Sequence, residues 1–367
     1  LAGVPKNLPP AKDEIEISLF GPGYGECVLL HPGDGHWIII DSCIDSITSE
    51  PAALQYLKLL SIDPSIGVKQ IIATHWHDDH VRGLGRIVRQ CYNAEFVCSE
   101  ALNTDDFLQL VIAFTPGLML LSGLNSGMEE FQIILHELAA RKQQVKFAVA
   151  DRCLWKNVLQ ARNTECTIHS LSPADAALVA SKIQIASLVP QPNKPKIRAH
   201  ALSPNRAAIV LWVKVGSVNI LLGADLEEEG RPTLGWSAIL ASNTKPEGKA
   251  SVFKVPHHGS STSHRKEVWQ DLLHDAPIAI LTPFGGGRVV LPKNEDISRI
   301  CSYTSQVYST SEQRKGRVII RDKTVERTIR ETVKDIRQIY SRMGHVRLRS
   351  QAGTAWQVDL FDGALHL

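Results

Sequence analysis

Gln70-Ile71-Ile72-Ala73-Thr74-His75-Trp76-His77-Asp78-Asp79-His80 is the stretch on which the reading of this chain turns. An apolar run of strand length ends in three imidazoles and two carboxylates within six positions. Burying such groups unpaired costs several kcal/mol each, roughly, and an exposed turn has no need of three histidines. In an extended segment alternate side chains point the same way, so His75 and His77 can converge on one cation. As the chain turns, Asp79 and His80 offer an oxygen and a nitrogen to a second. Nitrogen and oxygen ligands of this kind favour zinc, with manganese or iron as alternatives.

Other polar residues follow apolar runs elsewhere. Asp41 ends Trp37-Ile38-Ile39-Ile40, Asp225 follows Ile220-Leu221-Leu222-Gly223-Ala224, and His257-His258 follow Val252-Phe253-Lys254-Val255-Pro256. Singly, each aspartate reads as a turn or cap. Together they supply what the histidine cluster lacks, because a two-cation site needs a bridging carboxylate and further nitrogen ligands. Asp225 is the expected bridge, and the 257–258 pair the source of at least one ligand; the sequence does not choose between His257 and His258.

The remaining chain is compatible with one large domain. Its 367 residues can bury a large core, and 44% hydrophobic with 21% charged residues is ordinary for a soluble globular protein. The net charge of +2 selects no partner class. Seven scattered cysteines without a CxxC pair fit reduced thiols in a cytoplasmic protein. No basic region followed by an apolar stretch opens the chain, so no signal peptide is expected. Residues 107–124 carry no charge, but Pro116-Gly117 interrupts them, which predicts two short helices rather than a membrane span.

Alternation predicts a strand at Glu14–Phe20, the apolar runs Cys27–Leu30 and Trp37–Ile40 predict two more, and glycine-first turn chemistry predicts a hairpin across Gly216-Ser217. Further strands are expected at Phe96–Cys98, Ser251–Val255, Ile278–Leu281, Gln306–Ser309 and Arg317–Ile320. Met128, Phe131, Leu135 and Leu138 recur at helical spacing as a core stripe within an insertion at about 101–165. A helix is expected from Val81 to Gln90. Residues 1–320 therefore read as the main domain. Residues 321–367 read as an appended helix, marked by Val325, Ile329, Val333, Ile336 and Tyr340, followed by a hairpin pairing Val346 and Leu348 with Trp356, Val358 and Leu360.

These motifs resemble a metallo-β-lactamase-fold hydrolase, with Thr74 to His80 in the family's HxHxDH position. Within that superfamily the chain is most similar to the soluble hydrolase domain of ComEC-type competence proteins. The resemblance runs through Gly23-Tyr24-Gly25-Glu26-Cys27, Ile40-Asp41, Leu222-Gly223-Ala224-Asp225 and Lys254-Val255-Pro256-His257-His258-Gly259-Ser260, in order over about 14–320. It implies a four-layer αββα sandwich with the metals at one edge of its two sheets. His75 and His77 would hold one metal, Asp79 and His80 the other, with Asp225 bridging, 257–258 completing the site and Asp41 orienting the first histidines.

Three departures stand out. Leu291 precedes Pro292 where the family usually has histidine, so a substrate-facing group is missing or supplied by His264 or another residue. The histidine that many members place between the cluster and the bridge is not evident; His169 is a candidate, against the favoured reading of a strand histidine satisfied by local hydrogen bonds. Members of the ComEC type are polytopic membrane proteins, whereas no convincing span exists here, so DNA uptake across a membrane does not carry over.

Two divalent cations lower the pKa of bound water and neutralise oxygen charge, with Asp79, Asp225 and His258 as catalytic candidates. Between residues 311 and 350 twelve Lys/Arg face five Asp/Glu, including Arg314, Lys315 and Arg317, a candidate track for nucleic-acid phosphates. The leading expectation is a dinuclear phosphodiesterase or nuclease using a metal-bound hydroxide on DNA or nucleotides. The alternatives are a lactone, thioester or phosphocholine-type esterase, and a metal-stabilised module that captures a protein partner with little catalysis.

Overall fold

The computed structural model describes residues 5–23, 25–114, 127–190, 204–286, 289–312, 322, 324–325, 328, 332, 343–351 and 354–367. In chain order the strands are β1 (Glu14–Gly21), β2 (Cys27–Gly33), β3 (His36–Asp41), β4 (Val68–Ala73), β5 (Glu95–Ser99), β6 (Lys146–Ala148), β7 (Arg152–Leu159), β8 (Thr164–Ser170) and β9 (Leu211–Val215). There follow β10 (Val218–Leu222), β11 (Ala250–Lys254), β12 (Leu273–Leu281), β13 (Phe284–Gly286), β14 (Val289–Leu291), β15 (Val307–Ser309), β16 (Gly344–Gln351), β17 (Gln357–Phe361) and β18 (Leu365–His366). One sheet runs β17-β16-β1-β2-β3-β4-β5-β6 and the other β18-β15-β12-β11-β10-β9-β8-β7, with β13 and β14 as a separate ribbon.

Alternation sorts the side chains into three cores. Ile15, Ile17 and Leu19 of β1 face Ile168, Val213 and Ile280 between the sheets. The opposite face of the first sheet packs Leu29, Ile39 and Phe96 against the helices Ala52–Leu59, Leu84–Gln90 and Gly127–Ala140. Trp212, Leu221 and Phe253 of the second sheet pack against Trp236, Trp269 and Ile300. The result is the αββα sandwich expected from the resemblance.

Three expectations change in detail. The helix expected from Val81 is a turn at Asp78–Val81 followed by Leu84–Gln90, with left-handed Gly83 between them. The stripe on Gly127–Ala140 buries Met128, Phe131, Ile134 and Leu138, with Ile134 in place of Leu135. The segment 101–165 is no pure insertion, since β6 and β7 form an edge of each sheet.

The C-terminal hairpin does not stand apart. β16 pairs with β1 along its whole length, from Glu14–Gln351 to Gly21–Gly344, and β18 pairs with β15 of the other sheet. The strand expected at Arg317–Ile320 lies outside the described residues, as do Arg314, Lys315 and nearly all of the helix expected at 321–340. Arg347 and Arg349 are inside the protein, paired with Asp359 and Glu16, and belong to no basic surface. Among the described residues no helix is long and apolar enough to cross a membrane, and all seven cysteines are free thiols.

His31 on β2 carries a pH-dependent part of this stability. Its Nδ1 donates to the Glu14 carbonyl at 2.8 Å and its Nε2 accepts from the Gly35 amide at 3.0 Å, an arrangement open only to the neutral ring. Burial pushes the imidazole down from 6.5 to about 4. The unfolded chain therefore binds the extra proton between those values. The contribution is intact above about pH 6.5 and is lost as pH falls towards about 4, roughly 3 kcal/mol in all. Denaturant unfolding between pH 7 and 4 should show a shallower loss for His31→Gln than for the natural protein; parallel profiles would refute this assignment.

Candidate metal centre

The site gathers at the carboxyl ends of strands, where open α/β sheets place their ligands. β3 ends in Asp41, β4 runs out into Thr74 to His80, Asp225 follows β10, His257 and His258 follow β11, and Thr282 follows β12. The backbone there is strained: Asp41, Ala224, His257 and His258 all have positive φ, from 44° to 59°, at a cost of about 1–3 kcal/mol each. The Gly23 to Cys27 motif explains itself at Gly25 (φ 133°), where a Cβ would stand 1.9 Å from the Asp79 carbonyl. That carbonyl accepts the Glu26 amide at 3.0 Å.

Four donors converge. Nε2 of His80 lies 3.3 Å from Asp225 Oδ2 and 3.8 Å from Asp79 Oδ2. Nε2 of His258 lies 3.3 Å from Asp79 Oδ2 and 3.5 Å from Asp225 Oδ2. Donors set tetrahedrally around a cation at about 2.1 Å stand about 3.4 Å apart, so the spacing fits. The partners behind them fit too. His80 Nδ1 donates to Asp41 Oδ2 at 2.7 Å and His258 Nδ1 to the Thr282 carbonyl at 3.0 Å, which leaves both Nε2 lone pairs facing the centre. Both Nε2 atoms and Asp225 Oδ1 are buried without a hydrogen-bond partner.

His75 and His77 adjoin this set. His75 Nδ1 donates to Thr74 Oγ1 at 3.0 Å, and its Nε2 faces His77 Nδ1 at 3.1 Å. Burial, reinforced by His80 and His77, holds His75 well below its ordinary pKa, and burial also lowers His77. Asp225 and Asp79 oppose the downward shift of His75, and Asp79 and Asp225 that of His77. For His80 and His258 burial is outweighed by Asp225 and the neighbouring carboxylates, and both imidazoles rise. Burial would raise Asp225 and Asp79, but His80 and His258 hold both carboxyls down and ionised.

A second metal-capable grouping, Asp41 with His75 and His80, is already satisfied internally. Asp41 Oδ1 accepts from the Thr74 amide at 2.7 Å, and Oδ2 from Thr74 Oγ1 at 2.7 Å as well as from His80. Asp41 thus orients His80 directly and His75 only through Thr74.

Two residues considered as ligands lie outside the four-donor grouping. His169 sits on the face of β8 opposite the buried Cys166 and Ile168, among Asp151, Glu165 and Lys156, and joins neither grouping. His257 turns its ring to Glu227 at 3.1 Å and Thr262 at 3.1 Å, leaving His258 to face the cluster. His264 packs against Tyr303. Leu291 pairs with Phe284, whose ring centroid is 5.1 Å from that of His258. Sequence reading missed the parts played by Thr74, Glu26, Lys254 and Thr282. The first three lie inside quoted motifs, and their signal was a polar group at the end of an otherwise buried run.

Residues 20–105 match the sequence profile of the Metallo-beta-lactamase superfamily. ComE operon protein 3 of Bacillus subtilis (strain 168) is 33% identical over 118 residues, which are 32% of this chain and 13% of that protein. Among solved structures, the metallo-beta-lactamase SMB-1 bound to 2-mercaptoethanesulfonate aligns over 75% of this chain and 82% of its own at 14% identity, TM-score 0.34. The metallo-beta-lactamase fold protein YhfI from Bacillus subtilis aligns over 66% and 70% at 13% identity, TM-score 0.33.

Proposed function

We propose that this chain, a metallo-β-lactamase-fold protein with ComE operon protein 3 as a distant homologue, is a dinuclear metal-dependent phosphodiesterase or nuclease acting on DNA or nucleotides. The observation that carries the reading is the convergence of Asp79, His80, Asp225 and His258, with the unpartnered Nε2 atoms of both histidines turned inward. These four would hold one cation. His75 and His77, sharing Asp225, would hold the other. The chemistry a divalent cation supplies at such a site is a lowered water pKa and neutralisation of charge on the attacking and leaving oxygens. The protein's own groups orient the site: Asp41 fixes the His80 tautomer, Thr282 fixes that of His258, and Asp79 lies open enough to accept a hydrogen bond from a reacting group (side chain 22% exposed). Zinc suits two imidazoles with two carboxylates, with manganese or iron as alternatives.

Unequal donor sets give an expected result. The four-donor position loads first and holds its ion more tightly than the two-histidine position, so titration against a competing chelator should resolve two classes of zinc. Two equal affinities would contradict that assignment. The activity test is metal-dependent hydrolysis of single- and double-stranded DNA, RNA, cyclic nucleotides and a chromogenic phosphodiester, with Asp79→Ala as control. Absence of turnover on all of them rejects the phosphodiester reading. Phe284 and Leu291 favour one second reading, an esterase for lactones, thioesters or phosphocholine-type esters, because they lay apolar surface beside His258. Salt-insensitive turnover of a small neutral ester would select it.

A further inference from the structure

Behind the donor cluster lies a buried ion pair that the reaction as described does not use. Lys254 ends β11 in one sheet, and Glu26 immediately precedes β2 in the other. Their side chains are 2% and 3% exposed and their charged groups are in direct contact. The Lys254 ammonium also donates to the Ala224 carbonyl at 2.9 Å and stands 3.8 Å from Asp225 Oδ1. Glu26 Oε2 has no hydrogen-bond partner and lies 3.7 Å from His258 Nδ1, while Oε1 lies 4.0 Å from His80 Nδ1. The small cavity they share is also lined by Asp41 and Thr74 and by apolar groups, among them Val28, Ile40, Leu211 and Leu222.

A buried ion pair is a weak stabilising device, since well-packed apolar residues of the same volume commonly serve a fold as well or better. Its use is therefore to be sought in what it touches. The first sheet contributes His75, His77, Asp79 and His80 to the cluster, and the second contributes Asp225 and His258. The spacing of donors thus depends on how the two sheets are set against each other at this edge. We propose that Glu26 and Lys254 are the positioning pair of the metal centre. Lys254 fixes the Asp225 carboxylate and the Ala224 turn that carries it, while Glu26 couples that lysine to the backs of His80 and His258. The proposal rests on the reading of the cluster as cation-binding.

The test measures zinc and manganese affinity and stoichiometry by chelator competition and elemental analysis, beside thermal unfolding of the metal-free protein. Lys254→Met should weaken binding about 10- to 100-fold, the usual effect of removing a partner behind a ligand, and lower metal-free stability by leaving Glu26 unpaired. The double variant Glu26→Gln/Lys254→Met removes both charges; it should recover metal-free stability while its affinity stays low. Recovery of both, natural affinity in Lys254→Met, or a double variant that does not fold would assign the pair to structure alone and overturn the proposal. If the natural protein itself takes up neither zinc nor manganese, the cation reading falls and the positioning role with it. Normal uptake by both natural and double-variant proteins removes only the positioning role.

Discussion

Asp225→Ala should lower metal-dependent kcat/KM by about 10³-fold or more and abolish the tightly held cation. Charge stabilisation at a dinuclear site amounts to several kcal/mol, and each 1.36 kcal/mol is about tenfold in rate. In the proposed site Asp225 is the residue that both halves share. Its Oδ2 lies 3.3 Å from His80 Nε2 and 3.5 Å from His258 Nε2. Neither Asp79 nor Asp41 can take its place: Asp79 already belongs to the four-donor set, and both oxygens of Asp41 are engaged with Thr74 and His80. Asp225→Asn keeps the shape and an oxygen but loses the charge, so it should fall between alanine and the natural residue in zinc affinity. His258→Ala should resemble Asp225→Ala, whereas His257→Ala should retain the tight cation because that ring faces Glu227 and Thr262. Equal metal content in all four variants would contradict the proposed ligand set.

Much of this was legible because chemistry sat at the ends of apolar runs. Periodicity marked β4, and three histidines directly after it have no cheap burial, so a metal site followed from residue types alone. The same argument singled out Asp225 and the 257–258 pair, of which Asp225 and His258 join the metal-capable grouping. The choice between His257 and His258 was not, because both have left-handed φ (48° and 53°), and consecutive residues in that conformation do not point as an extended segment would. His169, which joins neither grouping, was undecided for a different reason. Strand alternation says which residues share a face, but which face meets the site depends on the packing of layers. The C-terminal hairpin was misplaced because its amphipathic pattern reads the same whether it hangs free or closes a sheet. Its partner β1 lies at the other end of the chain, a pairing that local propensity does not register. Its arginines look like a solvated basic stripe until Glu16 and Asp359 are found beside them.

Arg349→Met should destabilise the fold by about 3–5 kcal/mol, the usual penalty for breaking a buried pair from one side. Arg349 and Glu16 face each other across the β16–β1 register, with Nε and Nη2 of Arg349 2.8 and 2.7 Å from Glu16 Oε2. Glu16 has no exposure, and its other oxygen accepts from Ser18 Oγ at 2.8 Å. Removing the arginine leaves a carboxylate with one hydroxyl for company inside the protein, while methionine retains most of the apolar contact. Against a total of about 5–15 kcal/mol for a typical domain, that loss should appear as a large fall in denaturant midpoint. Glu16→Met/Arg349→Met removes both charges and should recover most of the loss, because a pair replaced by apolar groups leaves nothing uncompensated. The size of the effect also measures how far β16 belongs to the sandwich. A single variant within about 0.5 kcal/mol of the natural protein, as for an ordinary surface change, would mean that β1 is stable without its C-terminal neighbour. The hairpin would then be an appendage energetically, although it is paired geometrically.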